Sequence, residues 1–267
     1  MPVSDISLVI PVYNEGDNVP PLFDAIEKNI GTDVEILICY DFEEDNTLPP
    51  VRERAAKFSN LRLVKNHYKR GPLGAIKTGF DEASRPAVVV MMADLSDDLS
   101  DVSKMAELFR NGCKIVAGSR YMKGGKQIGG PRLKKTLSRL AGVSLHYLVG
   151  LPTHDATNSF RLYAKELLES TKIESDGGFE LGIELTVKAR IRGMKIGEVP
   201  TTWTDRTAGT SRFRLWKWLP KYLRWYFRAI SGTWFKMFRR SKTAALQITL
   251  EPQTRSRHGR KSNHRSK

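Results

Sequence analysis

The stretch Val88–Asp98, "VVVMMADLSDD", joins an apolar run to a cluster of carboxylates. Five apolar residues lead through Ala93 into Asp94, and Asp97 and Asp98 follow. A short continuous apolar run that ends in polar turn residues is typical of a strand buried on both faces of a parallel sheet. Ligands of such sheets bind beyond the carboxyl ends of the strands. The stretch therefore predicts a buried strand that delivers Asp94 to a site at the sheet edge.

Four further apolar runs resemble this one, and amphipathic segments separate them. The predicted strands are Ile6–Pro11, Val34–Tyr40, Leu61–Asn66, Ala87–Met92 and Lys114–Ser119. The predicted helices are Val19–Asn29, Leu48–Phe58, Leu73–Ala83 and Val102–Asn111. Alternation of this kind predicts an α/β fold with a mostly parallel sheet and helices on both faces.

Acid-rich loops follow the first, second and fourth predicted strands. Any one such loop has an ordinary explanation, because Asp, Asn and Gly are common in turns and helix caps. Three of them at one sheet edge would repel each other unless a cation or a donor-rich ligand is present. Asp94 suits a hard cation such as Mg²⁺ or Mn²⁺, which prefers oxygen ligands. Asp97 and Asp98 precede a predicted helix, where we expect them to favour its N-terminus.

Charge is distributed unevenly along the chain of 267 residues, whose net charge is +15. Residues 206–267 contain 17 of the 44 Lys and Arg but only one of the 29 Asp and Glu, which leaves residues 1–205 with 27 basic and 28 acidic residues. The basic part predicts a polyanionic partner, either anionic lipid or nucleic acid. The two cysteines, Cys39 and Cys113, fit a reducing compartment better than a disulfide framework. We expect neither a signal peptide nor a transmembrane helix.

Five motifs occur in an order and spacing that resemble one enzyme family. They are "SLVIPVYNEGDNV", "ADLSDD", "GSRYMKGG", "DATNSFRLY" and "GFELGIELTVKARIRGMKIGEVPTTWTDRTAGTSRF". Together they resemble the family-2 glycosyltransferases of the GT-A type, and most of all the polyprenyl-phosphate (dolichyl-phosphate) mannose synthases. The resemblance covers residues 5–215. It implies a GT-A fold, a nucleotide diphosphate sugar as donor and a polyprenyl phosphate as acceptor.

The resemblance also implies roles for individual residues. Nucleotide binding falls to the loops after the first, second and fourth strands, the metal to Asp94, and phosphate groups to two arginines. The expected donor-binding residues are Pro11, Tyr13, Glu15, Asp41 and Ala93, and the expected catalytic residues are Asp94, Arg120 and Arg206. The regions around Glu184 and Trp203 would shape the acceptor side.

The chain departs from the family pattern at two acids. Tyr40 replaces the first acid of the Asp-Asp-Gly-Ser element, and Met92 replaces the first acid of the Asp-x-Asp metal site. A thioether does not usefully bind a hard cation. We expect Glu43 or Glu44 to supply the missing charge from a neighbouring strand end, so the predicted metal ligands are Asp94, Glu43 and Glu44.

No clear general base accompanies these motifs. A hydroxyl acceptor needs a base, whereas a phosphate monoester is already a nucleophile at neutral pH and needs cations to position it. Basic residues follow the fifth strand, and either a solvated face or a phosphate site explains them: Arg120, Lys123, Lys126, Arg132, Lys134, Lys135 and Arg139. For His154 we expect a turn or capping role.

The C-terminal part is rich in Trp, Tyr, Lys and Arg between Ser211 and Lys242. Such segments favour the membrane–water interface, although an amphipathic helix that packs on the domain has the same composition. We divide the chain into a glycosyltransferase domain (1–210), interfacial helices (211–242) and a polar basic tail expected to be disordered (243–267). We expect no nucleic-acid partner, because nothing upstream resembles a nucleic-acid-binding module.

The resemblance implies a metal-dependent, inverting sugar transfer to a polyprenyl phosphate, with Mg²⁺ or Mn²⁺, and the missing base and the basic C-terminal part support it. We expect the protein to bind peripherally at the cytoplasmic face of a membrane. Transfer to a saccharide or lipid hydroxyl is the alternative within enzymes. A catalytically weak sugar-nucleotide-binding protein is the alternative from another class, because Met92 and Tyr40 replace expected acids.

Overall fold

The computed structural model describes residues 3–178, 180–205 and 219–232. The strands in this part are β1 (Ile6–Pro11), β2 (Glu35–Tyr40), β3 (Leu61–Lys65), β4 (Ala87–Val90), β5 (Ile115–Ser119), β6 (Lys126–Ile128), β7 (Arg161–Ala164), β8 (Ile196–Pro200) and β9 (Thr202–Thr204). The helices are α1 (Val19–Asn29), α2 (Leu48–Arg54), α3 (Pro72–Glu82), α4 (Val102–Arg110), α5 (Arg132–Val149), α6 (Lys165–Glu169), α7 (Leu181–Arg192) and α8 (219–232).

Seven strands form one sheet in the order β3-β2-β1-β4-β7-β5-β8. All neighbours pair in parallel except β7, which is antiparallel to both β4 and β5. The carboxyl ends of the six parallel strands therefore lie at one edge, and the loop that enters β7 lies there too. A separate two-stranded sheet pairs β6 with β9.

Side-chain alternation places one apolar layer on each face of the sheet. In β1, Leu8 and Ile10 join the layer that contains residues of α1, α2 and α4, whereas Val9 joins the layer that contains residues of α3, α6 and α7. The predicted α/β class with a mostly parallel, doubly covered sheet is confirmed. Strand β4 ends at Val90, two residues earlier than predicted, so Met91 and Met92 already belong to the turn that leads to Asp94.

A third apolar cluster joins α8 to the domain. Trp225 and Ala229 pack against residues of α5 and α7, and Trp225 is only 1% exposed. Ion pairs flank this contact: Lys221 with Asp176 at 2.6 Å, and Arg224 and Arg228 with Glu174 at 3.2 and 3.0 Å. Trp225 is therefore a packing residue, which corrects its assignment to the membrane interface.

The rest of the C-terminal prediction lies outside the described residues. The residues outside the description in this part are 206–218 and 233–267. They include Arg206, Trp216, Trp218, Trp234 and the whole segment expected to be disordered. Within the described residues, no helix is both long and apolar enough to cross a membrane.

Candidate functional site

The loops after β1 and β2 are joined by hydrogen bonds between backbone and side chains. The N–H groups of Asn14 and Glu15 donate to Asp45 Oδ1 (3.0 Å) and Thr47 Oγ1 (2.9 Å). The N–H of Gly16 donates to Asn46 Oδ1 at 3.0 Å. These contacts fix the two loops as one polar wall at the carboxyl edge.

The predicted donor-binding residues lie on this wall or next to it. Pro11 ends β1 and pairs with Cys39 of β2, and the Tyr13 ring is 45% exposed and meets Phe42 edge to face at 5.4 Å. Asp41 accepts from Asn66 Nδ2 at 2.6 Å and from the Gly71 N–H at 2.9 Å. Asp41 thereby fixes the loop that leads to α3.

Glu15 lies at the start of the segment that enters α1. Its Oε2 atom accepts a hydrogen bond from Asn18 Nδ2 at 2.6 Å. Ala93 is buried immediately before Asp94, in the turn after β4. The sheet thus brings the donor-side predictions from β1, β2 and β4 to the same edge.

Glu43 and Glu44 follow β2, on the part of the carboxyl edge that β1 separates from β4. Glu43 forms an ion pair with Lys65 of β3 at 3.0 Å and accepts from the Tyr40 hydroxyl at 3.3 Å, and Glu44 is exposed. Lys65 lowers the pKa of Glu43, chiefly by donating a hydrogen bond to it. Because β1 lies between β2 and β4, the expectation that these acids follow a strand next to that of Asp94 is wrong.

The turn after β4 is tight and partly strained. Leu95 has a φ of 58°, a left-handed conformation that costs a residue with a Cβ of the order of 1 kcal/mol. Asp94 is buried, and its Oδ1 accepts from the Ser96 N–H at 3.2 Å. Asp98 accepts from the Ser100 N–H at 3.0 Å and caps the short helix there, as predicted from sequence.

For Asp97 the capping expectation is wrong. It is 8% exposed, and within the described part of the chain neither carboxylate oxygen has a hydrogen-bond partner. The Met92 N–H faces it without reaching hydrogen-bond geometry. Burial, and next the negative charge of Asp94, raises the pKa of Asp97 to about 7, although Arg120 acts in the opposite direction.

Arg120 is bound by Asp155, which enters the edge on the loop before β7. The Nε and Nη2 atoms of Arg120 donate to the two carboxylate oxygens of Asp155 at 2.7 and 3.1 Å. Nη2 also donates to Thr157 Oγ1 at 3.0 Å. Burial opposes ionisation of Asp155, but the Arg120 guanidinium outweighs it and lowers the pKa of that carboxyl. Sequence reasoning assigned Arg120 to phosphate and gave Asp155 no role, because the contact spans 35 positions.

Two other buried acids hold a loop beside this site. Glu184 accepts the N–H groups of Glu174 and Ser175 at 2.6 and 2.7 Å, and Lys188 pairs with it at 2.6 Å. Glu180 similarly accepts the N–H groups of residues 176–178. The described contacts of Glu184 order the backbone around residue 175. Glu184 would therefore shape the predicted acceptor side only through this loop.

Strand β9 crosses over the turn after β4. The Thr204 N–H donates to the Ser96 carbonyl at 2.9 Å, and Trp203 forms an isolated β-bridge with Asp97. The turn that carries the acids is therefore held by β9 at two successive residues, Ser96 and Asp97. Arg206 follows two residues after β9, outside the described residues.

Helix α5 carries an exposed apolar stripe, defined as Leu133, Leu140, Tyr147 and Leu148. These side chains are 57%, 60%, 74% and 63% exposed. Positions 133, 140 and 147 recur every seven residues and so lie on one helix face. Arg132 and Arg139 are exposed on the same helix. A helix face with several exposed large apolar side chains is a candidate interaction surface.

Lys135 and His154 have local partners. Lys135 Nζ donates to the Gln127 carbonyl at 2.9 Å and so ties α5 to β6. The His154 N–H and Nδ1 contact the Glu198 carboxylate at 2.8 and 2.6 Å, and its ring stacks on His146 at 3.8 Å. This contact fits the predicted turn role of His154.

The acids after β4 fit a divalent cation better than those after β2 do. Within the described residues, no group of three or more His, Cys, Asp or Glu is arranged to hold a metal ion. A pair of carboxylates is sufficient for Mg²⁺-type sites, because water and substrate phosphates complete the coordination. Asp97 has two oxygens available for this, and Asp94 lies near enough to raise its pKa.

Comparison with known proteins shows the family to which the chain belongs. The model of glycosyl transferase family 2 matches residues 7–171. The chain belongs to this family. It is 32% identical over 84% of its length to dolichol-phosphate mannosyltransferase of Pyrococcus furiosus, and it spans 63% of that relative. It is 30% identical to polyprenol monophosphomannose synthase of Mycolicibacterium smegmatis, covering 79% of this chain and 82% of the relative.

Solved structures show the same fold at lower identity. Glucosyl-3-phosphoglycerate synthase from Mycobacterium tuberculosis, solved with Mn²⁺, uridine diphosphate and glucosyl-3-phosphoglycerate, is 20% identical with a TM-score of 0.60 and covers 85% of this chain and 79% of its own. S. aureus TarS in complex with UDP-GlcNAc is 18% identical with a TM-score of 0.57, covering 77% and 60%. The predicted GT-A-type fold is confirmed.

Proposed function

We propose that this protein transfers a sugar from a nucleotide diphosphate sugar to a polyprenyl phosphate. The observation that carries the proposal is the similarity, along about four fifths of the chain, to relatives named as mannosyltransferases of dolichol phosphate and polyprenol phosphate. The carboxyl edge of the sheet adds a polar wall from β1 and β2 and an acid-rich turn from β4. These three elements suit a ligand with a heterocyclic base, a ribose and a diphosphate.

Binding of the donor falls to the residues on that wall. The half-exposed Tyr13 ring offers a face for a base, and the loop held by Asp41 closes the outer side. The backbone of the β1 loop is already held by Asp45, Thr47 and Asn46, so the donor meets a preformed surface. Preformed sites lose less conformational entropy on binding.

A divalent cation, Mg²⁺ or Mn²⁺, would neutralise charge on the departing nucleoside diphosphate. Asp94 would hold it together with oxygens of the diphosphate. Met92 contributes no ligand to a hard cation. The residues of the turn itself must therefore supply any second carboxylate.

The acceptor chemistry follows from the groups available at the edge. In the proposed reaction, an oxygen of the lipid phosphate forms a bond to the anomeric carbon while the bond from that carbon to the diphosphate breaks, with inversion. The phosphate is ionised at neutral pH, so no proton has to be removed. Asp155, which is fully buried and bound by Arg120, is not placed to act as a base. Arg206 and exposed cations of α5 would position the phosphate.

Membrane attachment is part of the proposal. The apolar stripe on α5 presents large side chains to solvent beside exposed arginines, and Leu223 and Phe227 of α8 are 40% and 62% exposed. Apolar side chains flanked by cations favour an anionic membrane surface, where each basic residue contributes about 1 kcal/mol. We propose that the protein binds peripherally to the cytoplasmic face. The aromatic residues of the C-terminal part outside the described residues would contribute to this attachment.

The test is a transfer assay with labelled GDP-mannose and UDP-sugars, Mn²⁺ and either a polyprenyl phosphate or the matching polyprenol. We expect label in the lipid fraction only with the phosphate, and proton NMR of the product should show an inverted anomeric centre. Transfer to the polyprenol would instead support the hydroxyl-acceptor alternative. Nucleotide binding without any product would show a sugar-nucleotide-binding protein.

A further inference from the structure

Asp97 is a buried carboxylate without a partner in the described part of the chain. Both oxygens are enclosed, and neither accepts a hydrogen bond there. An unpaired buried carboxylate costs several kcal/mol, and buried polar groups are otherwise almost always hydrogen-bonded. Such a group is satisfied by a ligand, by water, by protonation or by a residue outside the described part, and the tests below separate a ligand from the others.

The position of Asp97 is determined by two elements. The isolated bridge to Trp203 and the bond from the Thr204 N–H to the Ser96 carbonyl fasten its segment to β9. Leu95, between the two acids, is in the left-handed conformation. The two acids therefore sit at the two ends of one tight turn.

Three charged side chains surround Asp97, and two of them are carboxylates. Asp94, Arg120 and Asp155 are its charged neighbours. The guanidinium of Arg120 is occupied by both oxygens of Asp155, so that pair is neutral as a unit. Asp94 and Asp97 are the other two carboxylates of this group, and a pair of carboxylates is a donor set that a small divalent cation takes up with a diphosphate.

We propose that Asp97 is the second carboxylate ligand of the divalent cation and replaces the acid that Met92 displaces. The role of the cation in sugar transfer rests on the proposed function, whereas this inference concerns only how the cation is bound. It revises the prediction from sequence: the replacement comes from three residues beyond Asp94 and not from Glu43 or Glu44. Asp97 would reach the cation from the far end of the turn.

The first test measures Mn²⁺ binding to the full chain by the electron paramagnetic resonance signal of free Mn²⁺, with and without GDP or UDP. Asp97→Asn should weaken Mn²⁺ binding about tenfold or more, whereas Asp98→Asn, the exposed neighbour, should stay within about twofold. In the double variant Met92→Asp/Asp97→Asn, affinity should return. Wild-type affinity in a folded Asp97→Asn protein would overturn the proposal.

A second variant covers the case in which Asp97→Asn does not fold. Asp97→Cys should lose Mn²⁺ and gain Cd²⁺, because thiolates prefer soft metals, and Asp98→Cys should show neither change. Unchanged metal preference in Asp97→Cys would show that the side chain does not touch the cation and that Asp97 instead pairs with a residue outside the described part, such as Arg206. Absence of any Mn²⁺ binding by the wild type, with either nucleotide, would also refute the inference.

Failure of this inference and failure of the proposed function give different results. Mn²⁺ bound through Asp97 by a protein that transfers no sugar would leave the inference intact and remove the function. Transfer to polyprenyl phosphate with Mn²⁺ affinity independent of Asp97 would leave the function intact and remove the inference.

Discussion

The acids after β2 lie at the same sheet edge as Asp97, which follows β4, but differ from it in how the protein satisfies them. Asp41 receives two hydrogen bonds, Glu43 has Lys65, and one oxygen of Asp45 accepts from the Asn14 N–H. Asp97, after β4, has no partner for either oxygen among the described residues. Asp45 keeps one unpartnered oxygen, whereas Asp97 keeps two.

The difference separates acids that build the site from acids that remain available to a ligand. A carboxylate whose oxygens all accept hydrogen bonds or ion pairs orders a loop, whereas Asp94, with one backbone N–H on Oδ1, and Asp97 keep lone pairs for a cation. A buried carboxylate without donors gains most when a cation binds. Acid content alone, which the two loops share, therefore does not locate a metal site.

The largest effect is expected from a satisfied acid, Asp155. Asp155→Asn leaves the buried Arg120 without its counter-charge, and breaking such a pair costs about 3–5 kcal/mol in free energy of unfolding. Urea unfolding of wild type and Asp155→Asn at pH 7 measures this loss in the free energy of unfolding. Asp176→Asn is the control, because its ion pair with Lys221 is exposed and should matter by less than about 1 kcal/mol.

The pH dependence of this effect has a fixed sign. Arg120 lowers the pKa of Asp155 in the folded state, so the stabilisation is present above the unfolded value near 3.8 and is lost as pH falls through the lower folded value. Wild type and Asp155→Asn should therefore converge below about pH 4. A constant difference down to pH 2 would contradict the assignment.

The next largest effect is expected on catalysis, from Asp94. Asp94→Asn keeps the side-chain volume and removes one charge, so sugar transfer should fall by about a hundredfold while the melting temperature changes by no more than about 3 °C. Transfer at saturating donor and a thermal melt measure the two. Activity above a tenth of wild type, with the same Mn²⁺ requirement, would exclude Asp94 as a metal ligand.

A smaller effect is expected at the apolar stripe on α5. Leu140→Ser combined with Tyr147→Ser removes two exposed side chains, each worth about 1.5 kcal/mol or more when buried. Flotation with anionic vesicles should show binding at least about tenfold weaker, while Mn²⁺ affinity stays unchanged. Tyr68→Ser, which removes another exposed aromatic ring, is the control. Equal flotation of all three proteins would move the contact to the C-terminal part.

The fold of the first 120 residues was predictable because its signal is local, whereas the elements from β6 to β9 were not predicted. Four helices and five strands follow from apolar periodicity, and α1 and β1 have the predicted bounds. Strand β7 was not predicted, because its first residue is Arg161. That guanidinium is fully buried and satisfied by the carbonyls of Asn158 and Gly182 and by Thr186, contacts that depend on the folded chain.

The candidate site was predictable by position but not by partner. Pro11, Tyr13, Asp41 and Asp94 reach one edge because the strands are parallel, which a sequence pattern can indicate. Which acids are satisfied depends on distant residues such as Lys65 and Gly71, and which face of α8 is buried depends on α5 and α7. An aromatic, basic helix has the same sequence whether its Trp meets lipid or protein.

The smallest effect on Mn²⁺ dependence is expected at Glu43 and Glu44, the two glutamates that the sequence predicts as metal ligands. Glu43→Gln and Glu44→Gln should each change the Mn²⁺ midpoint of sugar transfer by less than about twofold. Strand β1 separates β2 from β4, so the two strand ends are about 10 Å apart, whereas a cation ligand must approach to about 2.1 Å. Glu43 is also directed to Lys65 on β3, away from β4. Asp97→Asn, measured in the same titration, is the positive control. A tenfold shift in either glutamine variant would mean that the β2 loop rearranges when donor binds, and the distinction between satisfied and available acids would then hold only for the free protein.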